Sequence, residues 1–347
     1  MITQPPSAPG QAEPRHAPLV SPGYRWARRV VSVLLIVTGL LTLVYSGIST
    51  YVASQMVYET PKAIVETPAS LGLAYRDVTF TSREDNLQLK GWFIPGVLPG
   101  GQLTVDRAVI AVHGKHQNRT DPDAGLLDLS GTLARDGFAV LAFDMRGNGD
   151  SPPAAIGFGT TEQRDVLGAV DFLQTGSVPY PELGRPRLIG GLGISMGGAA
   201  LVMAATSEPA IRAVVADSVP TDYAPVIERD LPDESGLPAM FTPGVILAAR
   251  AMFGVDYYAA RPVDYVAKIA PRPLFLIQGA NDDIIPPGDL AALTKAASVP
   301  ANARVTAWLV AHAKHAQSYH VMGPVYVNRV ALFFTRALGP DTSQARP

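Results

Sequence analysis

Residues 188–200 read LIGGLGISMGGAA, and this stretch decides the predicted fold. An apolar run leads into Gly193-Ile194-Ser195-Met196-Gly197, and small residues follow. A G-x-S-x-G turn between a strand and a helix is typical of a nucleophile elbow, which lifts a serine hydroxyl clear of the backbone. Glycine is expected at 193 and 197 because larger side chains would collide there. The alternative is a plain glycine turn ahead of a helix, since short motifs match by chance in a chain with 32 glycines.

Short apolar runs alternate with helix-like stretches on both sides of this turn. After an expected hairpin at 75–82 and 87–94, strands are predicted at 108–112, 138–143, 188–193, 211–216, 274–278 and 305–310. Helices are predicted at 124–135, 161–174, 196–206, 289–297 and 321–338. Unbroken apolar strands that alternate with helices predict an α/β fold, with a mostly parallel central sheet covered by helices on both faces.

Residues 219–262 interrupt this alternation and are rich in proline and large apolar side chains. An insertion at this point would lie above the carboxyl ends of the strands, where open α/β sheets bind ligands. We therefore expect a short cap whose residues Met240, Phe241, Met252 and Phe253 line an apolar pocket. The alternative is that these side chains only pack the insertion onto the domain.

The N-terminal part of the chain carries a candidate membrane anchor. Residues 30–58 contain no charge, and the apolar run at 30–52 would extend about 34 Å as a helix, enough to span a bilayer. Arg25, Arg28 and Arg29 precede the run, which predicts a single pass with a cytoplasmic N-terminus and an extracytoplasmic α/β domain. A cleaved signal peptide and a buried core helix are the alternatives.

These features predict a domain organisation in six parts. They are a proline-rich disordered tail (1–24), a transmembrane anchor with a basic flank (25–58), a connector (59–74), the α/β domain (75–339), its cap insertion (219–262) and a C-terminal disordered tail (340–347). Because no catalytic group is expected before Thr60, a chain that begins there is expected to be soluble and active.

Composition excludes several kinds of function. The chain has no cysteine, which excludes disulfides, thiolate metal sites and a cysteine nucleophile. It carries 28 basic and 30 acidic residues, a net charge of −2, without the basic patch of a nucleic-acid-binding protein. Nothing in the sequence indicates an oligomeric state.

A serine nucleophile needs a base to take its proton and an acid to hold that base. The candidate bases in loops that follow predicted strands are His113, His116, His312, His315 and His320. The candidate acids at the same sheet edge are Asp282, Asp283 and Asp217. Position in the chain alone leaves these alternatives open.

The chain resembles the α/β-hydrolases over residues 75–338, and is most similar to their dienelactone-hydrolase-like and serine-aminopeptidase-like single-domain esterases. Six segments in the family's order carry the resemblance: LKGWFIP at 89–95, VHG at 112–114, DMRGNGDS at 144–151, the elbow, GANDDIIP at 279–286 and AKHAQSY at 313–319. The resemblance implies a triad of Ser195, Asp282 and His315, in the chain order of that family. It also implies an oxyanion hole made by the backbone N–H groups of Met196 and Lys115, and a structural role for His113, Asp144 and Arg146.

The predicted function is therefore a membrane-anchored serine hydrolase that cleaves an ester or related acyl bond of a small molecule through an acyl-enzyme. No metal or organic cofactor is expected, and the lipid bilayer is the expected partner of residues 30–52. A serine peptidase or aminopeptidase is the nearest alternative. A non-catalytic binding protein on the same fold is the alternative from another class, because fold does not fix function.

Overall fold

The computed structural model describes residues 22–341 and divides the chain into two compact units, Met1–Ile48 and Ser49–Pro347. The long helix α1 (Pro22–Val57) begins in the first unit and ends in the second. It begins ahead of the predicted boundary at Arg25. The rest of the two predicted tails, residues 1–21 and 342–347, lies outside the described residues.

Helix α1 is long and apolar enough to cross a membrane from Gly23 to Val57, with a mean hydropathy of 2.2 in its most apolar window. The large apolar side chains of its first part, such as Leu35, Leu41 and Leu43, are 65–70% exposed. A helix with exposed apolar side chains along its length is a candidate membrane span.

The strands and helices of the second unit follow the predicted alternation. The strands are β1 (Arg76–Thr81), β2 (Gln88–Ile94), β3 (Gly96–Val97), β4 (Leu103–Thr104), β5 (Arg107–Val112), β6 (Ala139–Phe143), β7 (Leu188–Ile194), β8 (Ile211–Asp217), β9 (Pro273–Gly279) and β10 (Arg304–Val310). The helices are α2 (Leu126–Arg135), α3 (Gln163–Thr175), α4 (Met196–Ser207), α5 (Tyr223–Ser235), α6 (Thr242–Phe253), α7 (Gly288–Ala297), α8 (Ser318–Met322) and α9 (Pro324–Leu338).

Eight strands form one sheet in the order β1-β2-β6-β5-β7-β8-β9-β10. The two pairs at the β1 edge are antiparallel, and the remaining pairs are parallel. Strand β5 is buried along its whole length because helices cover both faces of the sheet. The predicted α/β class and mostly parallel sheet are therefore confirmed.

Two apolar cores lie on opposite faces of this sheet. One core includes side chains of α3, α4 and α7, and the other includes side chains of α2 and α9. The parallel strands end at one edge, where the loops after β5, β7, β8, β9 and β10 converge. Ligands bind at this edge in open α/β sheets.

Two local features differ from the prediction. The small hairpin of β3 and β4 was not expected, because strands of two residues are too short to show a period of two. The predicted final helix at 321–338 is divided, since Gly323 has a φ of +47° and separates α8 from α9. A left-handed residue does not continue an α-helix.

The end of α1 is built into the second unit. Ala53 and Val57 are fully buried, Met56 is nearly so, and all three belong to the core that also contains α4. The Val57 carbonyl accepts a hydrogen bond from the Ile156 N–H at 2.9 Å. The division between the two units therefore lies at Ile48, whereas the sequence placed the end of the anchor at 58.

Candidate active site

Ser195 lies on a sharp turn between β7 and α4. Its φ is +49° and its ψ is −117°, an unusual conformation for a residue with a side chain. Its N–H donates to the Asp217 carbonyl at 2.8 Å, which fixes the turn against β8. A Cβ at Gly193 would lie 2.6 Å from the Gly197 carbonyl oxygen, and one at Gly197 would overlap the His113 carbonyl. Steric crowding therefore requires both glycines, as the sequence indicated.

His315, in the loop after β10, lies between the two other residues of the predicted triad. Its Nε2 is 3.0 Å from Ser195 Oγ, and its Nδ1 is 3.0 Å from Asp282 Oδ2. These contacts fit a neutral imidazole that donates from Nδ1 to the carboxylate and accepts the serine proton at Nε2. The structure thus brings together Ser195, His315 and Asp282, the three residues of the triad that the resemblance implied.

The Asp282 carboxylate follows β9 and is held by its own loop. Its Oδ1 accepts from the backbone N–H groups of Ile284 and Ile285 at 3.0 and 2.8 Å, and its Oδ2 accepts from Gln278 Nε2 at 2.5 Å. The side chain is fully buried. These donors orient the carboxylate toward His315 and satisfy its remaining lone pairs.

The two alternative acids have other partners. The Asp217 carboxylate accepts hydrogen bonds from the hydroxyls of Tyr326 and Ser218, both at 2.9 Å, and burial raises its pKa. Asp283 lies 3.5 Å from Lys314 Nζ at the surface. Neither carboxylate forms a hydrogen bond with His315 among the described contacts.

Among the described contacts, no histidine other than His315 forms a hydrogen bond with Ser195. His113 is completely buried, and its ring nitrogens contact the Gly114 carbonyl and the Met145 N–H. Burial lowers the pKa of His113 to about 4, which suits a structural residue that stays neutral. The ring of His320 contacts the Pro122 carbonyl, and His312 lines the cavity described below.

The two predicted oxyanion donors belong to segments that adjoin Ser195. Met196 is the first residue of α4, so its N–H belongs to the helix end where backbone donors have no partner within the helix. The loop after β5 contains Gly114 and Lys115, and an ideal Cβ on Gly114 would be 3.7 Å from the Ser195 Cβ. The Gly114 N–H is already bonded to the Asp121 carboxylate at 2.9 Å. The next donor along this loop is the N–H of Lys115.

Charged side chains fix the neighbouring loop, as the resemblance implied. The Asp144 carboxylate accepts from the backbone N–H groups of Arg119 and Asp150 at 2.7 and 2.8 Å. Arg146 pairs with the Asp165 and Asp85 carboxylates at 2.7 and 2.5 Å.

Sequence reasoning missed Glu59, which lies just after α1. Its side chain is fully buried, and its Oε2 accepts from the His116 backbone N–H at 2.9 Å. Its Oε1 lies 3.2 Å from His116 Nδ1. Burial raises the pKa of Glu59 to about 7, although the positive charge of Lys115 opposes the shift. The one signal in the sequence was that Glu59 is the first charged residue after the uncharged run.

A cavity of about 740 Å³ opens onto Ser195, His315, Gly114 and Lys115. Helix α5 supplies much of its apolar lining, together with side chains from other parts of the unit: Met56, Phe158, Ile194, Tyr223, Val226, Ile227, Leu231 and Ile285. The presence of Met56 means that the end of α1 contributes to the cavity.

The prediction of which cap residues line this cavity is wrong. Met240, Phe241, Met252 and Phe253 are not among its lining residues, and Met240 and Met252 are 68% and 66% exposed. The insertion does border the cavity, but through the apolar side of α5 instead of α6. Both helices carry apolar side chains at helical spacing, so the pattern alone did not distinguish them.

Tyr223, at the start of α5, places a buried hydroxyl next to the nucleophile. Its ring packs edge-on against Phe158 at 5.1 Å between centroids. Burial raises the pKa of Tyr223, and the nearby Ser195 hydroxyl opposes that shift. Within residues 22–341 the Tyr223 hydroxyl has no hydrogen-bond partner of good geometry.

Metal binding is not indicated at this site. Within the described part of the chain, no group of three or more His, Asp or Glu side chains is arranged to hold a metal ion.

Comparisons with known proteins agree with the fold. Residues 109–335 match the family model described as the alpha/beta hydrolase family. The esterase Pf2001 of Pyrococcus furiosus superposes with a TM-score of 0.66 and 26% identity, over 82% of this chain and 99% of that one. The protein YfhR of Escherichia coli O157:H7 is 27% identical over 267 residues, which cover 76% of this chain and 82% of YfhR. The protein PA2218 of Pseudomonas aeruginosa shares the fold, with a TM-score of 0.54 and 21% identity.

Proposed function

The chain belongs to the alpha/beta hydrolase family, and from that premise we propose that it is a serine hydrolase that cleaves carboxylic esters through an acyl-enzyme. One observation carries the proposal. Ser195 Oγ lies 3.0 Å from His315 Nε2, and His315 Nδ1 lies 3.0 Å from the Asp282 carboxylate. A nucleophile, a base and an orienting acid at these distances are the arrangement that activates a serine hydroxyl.

In the proposed mechanism, Ser195 Oγ attacks the ester carbonyl carbon while its proton passes to His315 Nε2. The Asp282 carboxylate stabilises the imidazolium that forms. The carbonyl oxygen becomes an oxyanion and accepts hydrogen bonds from the Met196 and Lys115 N–H groups, which are fixed before the charge develops. Collapse of this intermediate breaks the bond to the alkoxy oxygen, which takes the proton from His315. Water then attacks the acyl-enzyme by the same route and releases the acid.

Glu59 has a supporting part in this mechanism. It is a positioning residue, because its carboxylate holds the His116 backbone directly after the proposed donor Lys115. His116 has a φ of +56°, in the left-handed region, so this loop needs a partner to stay in place. The first residues after α1 therefore support the oxyanion hole.

The carboxylates that line the cavity are already paired, which favours a neutral acyl substrate over a peptide with a free N-terminus. A site for a free amine requires an unengaged carboxylate. Each carboxylate that lines the cavity has a partner within the second unit: Asp121 binds the Gly114 N–H, Asp123 binds Gln117, Asp230 binds Arg229, Glu234 lies 3.9 Å from Lys115, and Asp283 lies 3.5 Å from Lys314. The structurally similar Pyrococcus furiosus protein is an esterase, which supports the same choice.

The apolar lining that α5 gives the cavity favours an acyl substrate, and we propose a preference for short or medium acyl chains because the cap insertion is short. Each methylene buried against Ile227 and Leu231 should improve transition-state binding by up to about 0.8 kcal/mol until the cavity is full. A panel of p-nitrophenyl esters of increasing chain length, compared with aminoacyl p-nitroanilides, tests this proposal. A flat response to chain length with faster turnover of the anilides would favour the peptidase.

A serine-directed fluorophosphonate tests the nucleophile itself. It should label the wild-type chain and not Ser195→Ala, and Ser195→Ala should lower turnover by roughly 10⁶, by analogy with another serine hydrolase. Ser207→Ala, on the last residue of α4, is the control that should keep label and activity. Label that persists in Ser195→Ala would remove Ser195 from this role, and an unlabelled wild type would favour a non-catalytic binding protein.

We further propose that α1 anchors this enzyme in a membrane as a single pass. Arg25, Arg28 and Arg29 precede the apolar stretch and favour a cytoplasmic N-terminus with the hydrolase unit outside. The full chain should stay with membranes after an alkaline carbonate wash, and external protease should reach the hydrolase unit in spheroplasts. A mature N-terminus just beyond Ala53 would indicate a cleaved signal peptide instead.

A further inference from the structure

Helix α6 of the cap is apolar on both of its sides. Its buried side includes Val245, Ile246 and Ala249, which belong to the core of the second unit. Its other side exposes Pro243, Leu247 and Ala251, which we call the apolar face of α6, and Met252 is exposed at the end of the helix. Positions 243, 247 and 251 recur every four residues and so lie on one face. An apolar face that stays exposed on such a helix is a candidate interaction surface.

The exposure of this face is large. Leu247, at the centre of this face, is 66% exposed, and Met252, in the last turn of the helix, is exposed to the same extent. Single exposed apolar residues are common on protein surfaces, but a contiguous apolar patch indicates an interaction surface. We therefore expect the apolar face of α6 to contact another molecule or a membrane.

The position of α6 indicates what that occupant is. Phe253, its last residue, packs edge-on against Tyr58, with 5.8 Å between ring centroids. Tyr58 directly follows α1 and is 48% exposed. A bilayer crossed by residues 30–52 would end about 10 Å from Tyr58, at about 1.5 Å of helix per residue. Exposed tyrosines near the end of a span, here Tyr51 and Tyr58, are typical of the membrane interface.

A basic side chain flanks the same face. Arg250 is 68% exposed and lies 3.5 Å from Asp256, which leaves its guanidinium at the surface. An interfacial helix combines an apolar face with basic side chains that reach the lipid headgroups. Arg250, three residues after Leu247 on the same helix, matches this combination.

We propose that the apolar face of α6 docks onto the bilayer that α1 crosses; this inference rests on the proposed membrane attachment. Docking holds the cap against the lipid surface. Helix α5 packs beside α6 and lines the cavity. Met56, two residues before Tyr58, also lines the cavity. The cavity of the enzyme therefore lies next to the docking surface, where amphiphilic acyl esters accumulate.

Because the chain has no cysteine, single-cysteine variants of the full chain carry one probe at a chosen site. An environment-sensitive NBD fluorophore on Leu247→Cys reports on the apolar face of α6. The matched control is Val299→Cys, which is 77% exposed and lies outside the cap, and the positive control is Leu41→Cys in α1. Each protein is reconstituted in vesicles of phosphatidylethanolamine and phosphatidylglycerol that contain a spin-labelled quencher lipid.

We expect the quencher lipid to lower the Leu247→Cys signal at least twofold more than the Val299→Cys signal. Quenching at Leu41→Cys with equal signals at 247 and 299 would overturn the docking while leaving the membrane attachment in place. No quenching at Leu41→Cys would overturn the attachment and the docking with it. A blue shift of the probe at 247 that depends on protein concentration and not on lipid would assign the face to a second copy of this chain.

A second measurement links docking to activity. The double variant Leu247→Glu and Met252→Glu should hydrolyse a water-soluble ester at the wild-type rate and an ester embedded in vesicles at least threefold more slowly. Val299→Glu should match the wild type on both substrates. Equal rates of the double variant and the wild type on the embedded ester would contradict the proposal.

Discussion

The Glu59 carboxylate accepts a hydrogen bond from the His116 backbone N–H at 2.9 Å. This contact joins the segment after α1 to the loop after β5, which carries the proposed oxyanion donor Lys115. A buried carboxylate without partners is costly, so its position here must be supported by the contacts that it makes. The consequence is that part of the candidate active site depends on residues that lie before the region matched by the family model.

Removal of the Glu59 carboxyl group should slow catalysis without weakening substrate binding. We expect Glu59→Ala to lower kcat by about tenfold to a hundredfold with little change in KM, because small displacements of catalytic groups have effects of this size. Glu59→Gln should keep most of the activity, since its amide oxygen accepts the same hydrogen bond. Steady-state kinetics on a soluble ester measures both, with Glu66→Ala, an exposed carboxylate of the same connector, as control. Equal losses in the Ala and Gln variants would argue against a role through the His116 N–H.

The buried Glu59 also predicts a pH dependence of stability. Its pKa is raised from 4.5 to about 7 in the folded protein. Between these values the unfolded chain releases the proton while the folded chain keeps it, so stability falls as the pH rises and reaches its lower level above about 7. The difference amounts to at most about 3.5 kcal/mol, at about 1.4 kcal/mol per pKa unit.

The matched measurement compares the wild type with Glu59→Gln in detergent. The Tm of the wild type relative to that of Glu59→Gln should be highest near pH 4.5 and should decline toward pH 8. A constant difference over this range would mean that Glu59 titrates at its ordinary value.

The three candidate carboxylates can be separated by isosteric substitution. Asp282→Asn should lower turnover by about 10⁴, because the asparagine favours the wrong tautomer of His315. Asp217→Asn should affect stability more than turnover, since its partners are the hydroxyls of Tyr326 and Ser218. Asp283→Asn should change neither turnover nor stability appreciably. A larger loss of turnover at Asp217 than at Asp282 would move the acid to β8.

The parts of the fold that could be predicted were those in which one physical constraint decides the structure. Strands covered on both faces must be apolar along their whole length, so runs such as those of β5 and β7 were recognisable. The elbow was recognisable because crowding by the Gly197 and His113 carbonyls leaves room only for glycine. The division of the last helix depends on the backbone of Gly323 alone, and no periodic pattern shows it.

Other features could not be predicted because two environments select the same residues. Ala53, Met56 and Val57 are apolar whether they face lipid or a protein core, so the sequence could not show that α1 ends inside the second unit. For the same reason the pattern of α6 fitted both a pocket lining and an outward face. Glu59 belongs to no motif, because its partner is a backbone N–H that any residue at 116 other than proline would supply.

The Tyr223 hydroxyl allows a test with an internal control. Tyr223→Phe removes a buried hydroxyl that lies beside Ser195, and we expect kcat to fall about tenfold if that hydroxyl donates to the transition state. The free energy of unfolding should stay the same or rise, because an unpaired buried hydroxyl is removed. Tyr257→Phe removes a second buried hydroxyl without a good partner, on a residue that does not line the cavity, and should leave kcat unchanged. An unchanged kcat in Tyr223→Phe would limit Tyr223 to packing against Phe158.

Truncation tests where the catalytic unit begins. The sequence predicted that a chain starting at Thr60 would be active, but such a chain lacks Met56, Val57 and Glu59, which are buried in the second unit. At about 1.5–3 kcal/mol per buried Val or Met side chain, the loss should lower the free energy of unfolding by roughly 3–6 kcal/mol relative to a chain that starts at Ser49. Denaturant unfolding and kcat on a soluble ester measure the two effects. The Ser49 chain with Glu59→Ala separates them, since it should lose activity while keeping most of the stability. If the Thr60 and Ser49 chains unfold at the same denaturant concentration and turn over substrate equally, the end of α1 is dispensable and the catalytic unit begins after it.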